Sequence, residues 1–258
     1  MLFRSILSKA RIFMRYLSDG SILYTYSDFI KAKKDLSRSP VFIAPNSLYS
    51  REFLERSKSE MRNTIIYSGR LVAEKKVNLL LLAFKESRLA NIGISLVIIG
   101  DGPEIVTLKA LVEKLEIGQS VIFRGEVFDS FKLKESYARA IVAVSPGYVG
   151  LSITQCAGFG VPIIFPSDDK HSPEIELIQK VHHYQFKSND YTSLSECLRK
   201  VFYEAQSAEF ENKCEVMVQY ARENYSLENM IDGLVSAILN KRQNLGPEGF
   251  PHENQKIL

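Results

Sequence analysis

No apolar run in this chain approaches the roughly 18 residues that a membrane-spanning helix requires, because charge or glycine interrupts each candidate. The sequence therefore excludes a helical span. Cysteine is nearly as scarce: Cys156, Cys197 and Cys214 are far apart, odd in number and set in helical patterns without metal-ligand spacing. That argues against a disulfide framework or a metal cluster and reads as buried thiols in a reducing cytoplasm. Charge of one sign is missing too, since 33 basic residues face 30 acidic ones, so no strong field announces nucleic acid. No G-x-G-x-x-G follows an expected strand with an acid at the required distance, which argues against a nicotinamide-dependent dehydrogenase. Internal repeats and low-complexity tracts are absent, as is a signal-peptide pattern of apolar core and small-residue cleavage site.

What is there is a chain of 258 residues with 45% apolar content, enough to bury a core. Its organising stretch runs from Ile141 to Phe165, IVAVSPGYVGLSITQCAGFGVPIIF. An apolar strand ends in small residues, Pro146, Gly147 and Gly150 mark a turn, a helical pattern follows, and VPIIF is a second strand. This is a βαβ unit whose first strand points at a helix N-terminus. Two readings are open: unpaired N–H groups that seat a phosphate, or an ordinary turn whose glycines serve backbone geometry alone.

The start of the chain reads as a basic amphipathic helix, with Leu2, Phe3, Ile6 and Leu7 on one side and Arg4, Lys9, Arg11 and Arg15 elsewhere. It suits either an anionic membrane surface or packing on a domain. SILYTYS, DFIKAKKDLSRS and VFIAPNS follow as strand, helix and strand, and residues 47–62 read as an exposed connector. From Thr64 strands and helices alternate: TIIYSG, a helix to Ser87, ISLVIIG, a helix from about Pro103, VIFRG, a helix, IVAVS, a helix and VPIIF. Such alternation predicts an α/β fold, a Rossmann-like parallel sheet with helices on both faces. VHHYQF is a candidate sixth strand, and helices are expected at 191–204, 209–223 and 227–241. The expected organisation is an N-terminal segment and linker over 1–62, a Rossmann-like domain over 63–242 and a flexible tail over 243–258.

In an open parallel sheet, ligands bind beyond the carboxyl ends of the strands. Four loops meet there. SGRLVAEKK holds Arg70 and Lys75, which read either as a grip on a diphosphate or as two solvated charges. GDGPE has Gly100 and Gly102 for close backbone approach and Asp101 to accept from hydroxyls, or is a simple tight turn. RGEVFDS offers small and apolar residues to flank a base, and PGYVG is the fourth.

Together, SGRLVAEKKVNLLLLAF, LVIIGDGPE, VIFRGEV and the turn with QCAGFGVPII resemble, in this order and spacing, the C-terminal donor-binding domain of family 4 (group 1) glycosyltransferases of GT-B architecture. The resemblance covers Asn63 to Phe202. It implies retaining transfer of a sugar, of hexosyltransferase type, from a nucleotide-diphosphate sugar, without an obligatory metal or other cofactor. Arg70, Lys75 and the N–H groups of Gly150 and Leu151 would hold the diphosphate. Asp101, Gly102, Val127 and Gln155 would serve the nucleoside and ribose, and Gly147 and Tyr148 would line the donor-sugar region. His171 and Glu174, in DDKHSPEIE, resemble a histidine and an acid of some relatives. His182 and His183 have no ligand spacing and read as structural.

Two departures stand out. The family places glutamates toward the donor sugar and the ribose, where this chain has Gly147 and Gln155. Gln155 can still bond hydroxyls as a neutral amide; Gly147 has no side chain to offer. The first Rossmann-like domain is also represented only by its end. The leading expectation is thus a glycosyltransferase, or its donor-binding half, in bacterial polysaccharide or glycoconjugate assembly, with a glycan or lipid-linked acceptor, cytoplasmic or peripheral at the inner membrane face. The alternative is a non-catalytic nucleotide-sugar-binding or interaction module that partners a separate chain carrying the N-terminal domain.

Overall fold

Six apolar runs form one parallel sheet in the computed structural model, which describes residues 9–10, 13–35, 39–57, 61–246 and 249–250. The strands are β3 Thr64–Ser68, β4 Ser95–Ile99, β5 Val121–Gly125, β6 Ala140–Val144, β7 Ile163–Pro166 and β8 His183–Phe186. They lie side by side as β5-β4-β3-β6-β7-β8, the doubly wound order of a dinucleotide-binding fold. The central strand β6 is buried at every residue, whereas the edge strand β5 alternates, as expected for strands covered on two faces and on one.

The connecting helices are α2 Val77–Ser87, α3 Ile105–Lys114, α4 Ser130–Ala138, α5 Ser152–Gly158 and α6 Tyr191–Glu204. Leu80 and Phe84 of α2, Leu108 of α3 and Leu194 and Val201 of α6 share one core with Ile65 and Leu96 of the sheet. Right-handed crossovers explain the layering: the chain winds outward from β3 to β5 and then reverses toward β8, which sends α4 and α5 to the opposite face. The helices at 191–204 and 209–223 and the sixth strand are found within a residue or two of their expected bounds. All three cysteines are free and buried, and burial pushes the thiols up, to about 12 for Cys156 and Cys197 and about 11 for Cys214.

The chain divides into two compact units before Leu54 and after Ala221, not at the expected borders of 62 and 242. The larger unit starts early because part of the expected connector is anchored. Leu54 is buried and its side chain fills the space that the missing Cβ of Gly158 leaves. Arg56 pairs with Glu211 at 2.6 Å and Glu215 at 3.4 Å on helix α7, Ala208–Asn224.

The smaller unit joins both ends of the described chain. Strands β1 Ser21–Leu23 and β2 Val41–Ile43 pair in parallel around helix α1 Phe29–Asp35, and helix α8 Leu227–Ile238 packs on them. Gly233 of α8 lies against the carbonyl of Ile43, an approach that only glycine permits. The hydroxyl of buried Tyr26 donates to the carbonyl of Asn224 at 2.6 Å, and Phe250 stacks on its ring at 4.3 Å. The side-chain amide of Gln243 accepts from the Ile43 N–H at 2.7 Å and donates to its carbonyl at 2.9 Å. The expected flexible tail is therefore docked at Gln243 and at Phe250, because an amide and an aromatic ring find buried partners; residues 247–248 and 251–258 lie outside the described residues. So does most of the expected N-terminal helix, of which 13–17 are helical.

Candidate functional site

The order of strands sets the site. From β3 the chain turns toward β4, and from the adjacent β6 it turns toward β7, so the two loops part and leave a crevice between them. The loop after β3 carries Gly69, Arg70 and buried Leu71, then a 3-10 turn Ala73–Lys75. Lys76 then takes a left-handed conformation, φ 51°, to start α2. The two loops touch: Gly147 is buried against the carbonyl of Glu74, and the carbonyl carbon of Lys75 is 3.2 Å from where a Cβ would stand. Lys75 Nζ donates to the carbonyl of Tyr148 at 2.6 Å and lies 5.2 Å from the centre of its ring. Tyr67, buried in β3, donates its hydroxyl to the Arg70 carbonyl at 2.8 Å and so fixes the backbone from which Arg70 projects.

These are cations without anions. Arg70 is exposed, and among the described residues neither it nor Lys75 forms an ion pair. Burial lowers the Lys75 pKa from the ordinary lysine range, and the nearby Arg70 charge lowers it further. The next lysine differs. Lys76 Nζ pairs with Asp169 at 2.7 Å, tying the loop after β3 to the loop after β7, and its hydrogen bond holds the Asp169 carboxyl below the usual range.

The glycine turn is held from the other side by His171. Its Nδ1 accepts from the Val149 N–H at 3.2 Å. Nε2 lies 2.8 Å from the carbonyl of Pro166, which can only accept, so the proton sits on Nε2. The Ser172 N–H closes the clasp on the Val149 carbonyl at 2.9 Å. His171 thus spends both ring nitrogens on backbone and positions the turn, rather than presenting a donor to ligand. Replacing it with alanine is expected to cost about 2 kcal/mol, roughly 4–8 °C in melting temperature, by leaving a backbone N–H unmet. Glutamine, whose amide can accept and donate over a similar span, should restore most of the loss. Equal melting of wild type and His171→Ala would remove this role.

The N–H groups of Gly150 and Leu151 have no protein acceptor among the described residues, while their carbonyls accept from Ile153 and Gln155 in the first turn of α5. Two open N–H groups therefore stand beside Tyr148 and Lys75. Asp101 and Gly102 adjoin them through the neighbouring loop. Gly100 lies against the Gly69 carbonyl and Gly102 against that of Leu71; the Leu71 N–H donates to the Asp101 carbonyl at 2.8 Å. The glycines let one loop backbone approach another. The Asp101 carboxylate accepts from the Gly102 N–H at 2.7 Å. Val127, half-buried, stands beyond β5, two strands from β3 and so roughly 10 Å away, beside the exposed ring of Phe128. Gln155 is buried in α5 and Glu174 in the 3-10 stretch Pro173–Gln179. His182 bonds the Tyr184 hydroxyl at 2.7 Å and His183 the Val181 carbonyl at 3.0 Å, away from these loops.

The pattern of one family, described as glycosyl transferases group 1, matches residues 50–224. The chain belongs to that family. Its fold is that of GT-B glycosyltransferases. HepE of Anabaena, crystallised in complex with UDP, superposes with a TM-score of 0.67 at 14% identity, over 86% of this chain and 64% of its own length. Sucrose-phosphate synthase of Thermosynechococcus elongatus gives 0.64 at 15% identity, over 90% and 62%. N-acetyl-alpha-D-glucosaminyl L-malate synthase of Bacillus anthracis is 24% identical over 148 residues, 56% of this chain and 39% of that protein. The chain thus spans less than two thirds of the length of these similar proteins. Among the described residues no helix is long and apolar enough to cross a membrane, and no three His, Cys, Asp or Glu side chains are grouped to hold a metal ion.

Proposed function

We propose that this group 1 chain binds a nucleotide-diphosphate sugar at the β3–β6 crevice and works in transfer of that sugar, with retention, to a glycan or lipid-linked acceptor in bacterial polysaccharide or glycoconjugate assembly. The observation that carries the reading is the meeting of two unneutralised cations, Arg70 and Lys75, with the open N–H groups of Gly150 and Leu151. Crystal structures of Anabaena HepE contain UDP, UDP and glucose, or UDP-glucose, which supports a donor of this class. The residues present suit the leaving group: as the nucleotide diphosphate departs, charge grows on its phosphate, and fixed donors and cations stabilise it without reorganising. No metal or other cofactor enters this reading. Acceptors of lipid-linked type would place the working protein at the inner face of the membrane.

Gly147 favours a second reading. No carboxylate can project toward the donor sugar from this position, so the chain would hold the donor while a separate chain with the N-terminal domain supplies the rest of the chemistry. Calorimetric titration with UDP-, GDP- and ADP-linked sugars tests the first step, with one nucleotide expected to bind at about 1 μM to 1 mM, the usual range for enzyme substrates. A folded chain that binds none of them would overturn both readings. Binding with no transfer, even when an N-terminal-domain protein is added, would leave only donor holding.

A further inference from the structure

The larger unit has a second concavity, at the other ends of the strands. A cavity of about 300 Å³ opens where β3, β4 and β5 begin, between the sheet and helix α4. β3 has five residues, so at about 3.3 Å per residue this cavity lies roughly 13 Å from the loops that carry Arg70 and Lys75. Its position follows from the winding. The face that α4 and α5 cover has fewer helices than the other, and near the edge strand β5 the sheet is left open, with Ile122 44% exposed.

Val97 and Ile122 give the cavity an apolar floor, but its upper wall is polar. Thr64 is 8% exposed, and its Oγ1 is buried without a hydrogen-bond partner. Asn63 Oδ1 is in the same state. The backbone here is already satisfied, since both N–H groups donate to the Arg139 carbonyl at 3.1 Å. Native chains seldom bury a hydroxyl and an amide oxygen with nothing to bond, and valine would fill the strand position as well as threonine does. Arg139, which follows α4, and Arg124 on β5 bring two guanidiniums to the rim, and among the described residues neither has an ion-pair partner. Ser136 is already engaged, donating to the Lys132 carbonyl at 2.9 Å. Glu135 is the one acid among the lining residues.

The inventory specifies a ligand. Two planar cationic forks suit a phosphate or carboxylate, and the Thr64 hydroxyl can add a donor. Asn63 Oδ1 and Glu135 only accept, so they need donors that a bare anion lacks and that hydroxyl groups supply. We propose that this cavity is a second ligand site, for a small anion that also carries hydroxyl groups, such as a phosphorylated or carboxylated polyol. It is independent of the donor site. The volume suits a molecule of that size and is small for a nucleotide sugar.

The test uses the whole chain, isotopically labelled, in an Arg70→Ala/Lys75→Ala background that removes the competing cations whether or not the donor reading holds. Amide shifts are followed on titration with glycerol 3-phosphate, glycerate, inorganic phosphate and glycerol. Saturable shifts at Asn63, Thr64, Ser95 and Arg124 are expected, with glycerol 3-phosphate or glycerate tighter than inorganic phosphate and glycerol silent; the tighter of the two names the anion. Arg124→Ala/Arg139→Ala should weaken binding at least tenfold, and shape-preserving Thr64→Val several-fold. The proposal is overturned by shifts that never saturate, by shifts of equal size with glycerol, or by binding unchanged in both variants.

Discussion

Glutamate at position 147, the residue the family resemblance places there, is expected to destabilise this protein and to abolish donor binding rather than improve it. The reason is steric before it is electrostatic. A Cβ at 147 would overlap the Glu74 carbonyl and press on the backbone of Lys75, and a backbone segment held at both ends cannot yield as a flexible side chain does. Overpacking of this kind costs about 1–3 kcal/mol, and a carboxylate buried without its own donors adds a similar amount. A total of about 4 kcal/mol corresponds to roughly 8–16 °C in melting temperature for a chain of this size. Displacement of the Ala73–Lys75 turn would also carry Lys75 off the Tyr148 carbonyl. Gly147→Ala should show a smaller loss of the same kind. Thermal melting with donor titration checks both variants, and a Gly147→Glu protein as stable as wild type would show that the two loops are free to separate.

The second large effect is expected from the double substitution Arg70→Ala/Lys75→Ala. Each side chain offers a charge-assisted bond to phosphate worth about 1.5–3 kcal/mol, so the pair together should weaken the donor at least a hundredfold. The losses should not add, because the Arg70 charge perturbs Lys75. Lys75 has its pKa lowered by burial and by Arg70, and both effects disfavour the charged form. Above that lowered pKa the folded chain binds fewer protons than the unfolded one, so the contribution of Lys75 to stability improves as pH rises through it. Affinity for a diphosphate moves the other way, falling over the same interval as the ammonium is lost. Arg70→Ala alone should shift this fall to higher pH. Melting and titration across an alkaline pH series separate the two trends, and a pH-independent affinity would remove Lys75 from the site.

The fold was largely legible because its strands are apolar throughout and its helices periodic. The run at Ala140–Val144 and the Tyr191–Glu204 pattern leave little choice of element. The placement of Arg70 and Lys75 at the crevice was legible for a related reason: they follow a strand that points at a switch point. What was hidden is the contact between loops. Nothing in GDGPE says that Gly100 and Gly102 lie against the neighbouring backbone, and nothing in PGYVG says that Gly147 lies against Glu74. The clasp by His171 was hidden too, because a histidine in a polar loop has the same sequence signature whether it bonds backbone or ligand. The ion pair of Lys76 with Asp169 left only a weak sign, a second lysine beside the first. The unit borders escaped because composition marks exposure, and Leu54, Arg56 and Gln243 reveal their anchoring only through distant partners.

The smaller unit, built from residues up to Phe53 and from Arg222 onward, also dictates an order of events during synthesis. The strands and helices of Leu54–Ala221 are contiguous, so this unit can assemble while the remainder is still being made. Tyr26 and Ile43 must wait through that whole interval for Asn224 and Gln243 to leave the ribosome. A nascent chain arrested before residue 222 should therefore expose the early strands to chaperones, and a stop codon near position 240 should harm the beginning of the protein more than its middle.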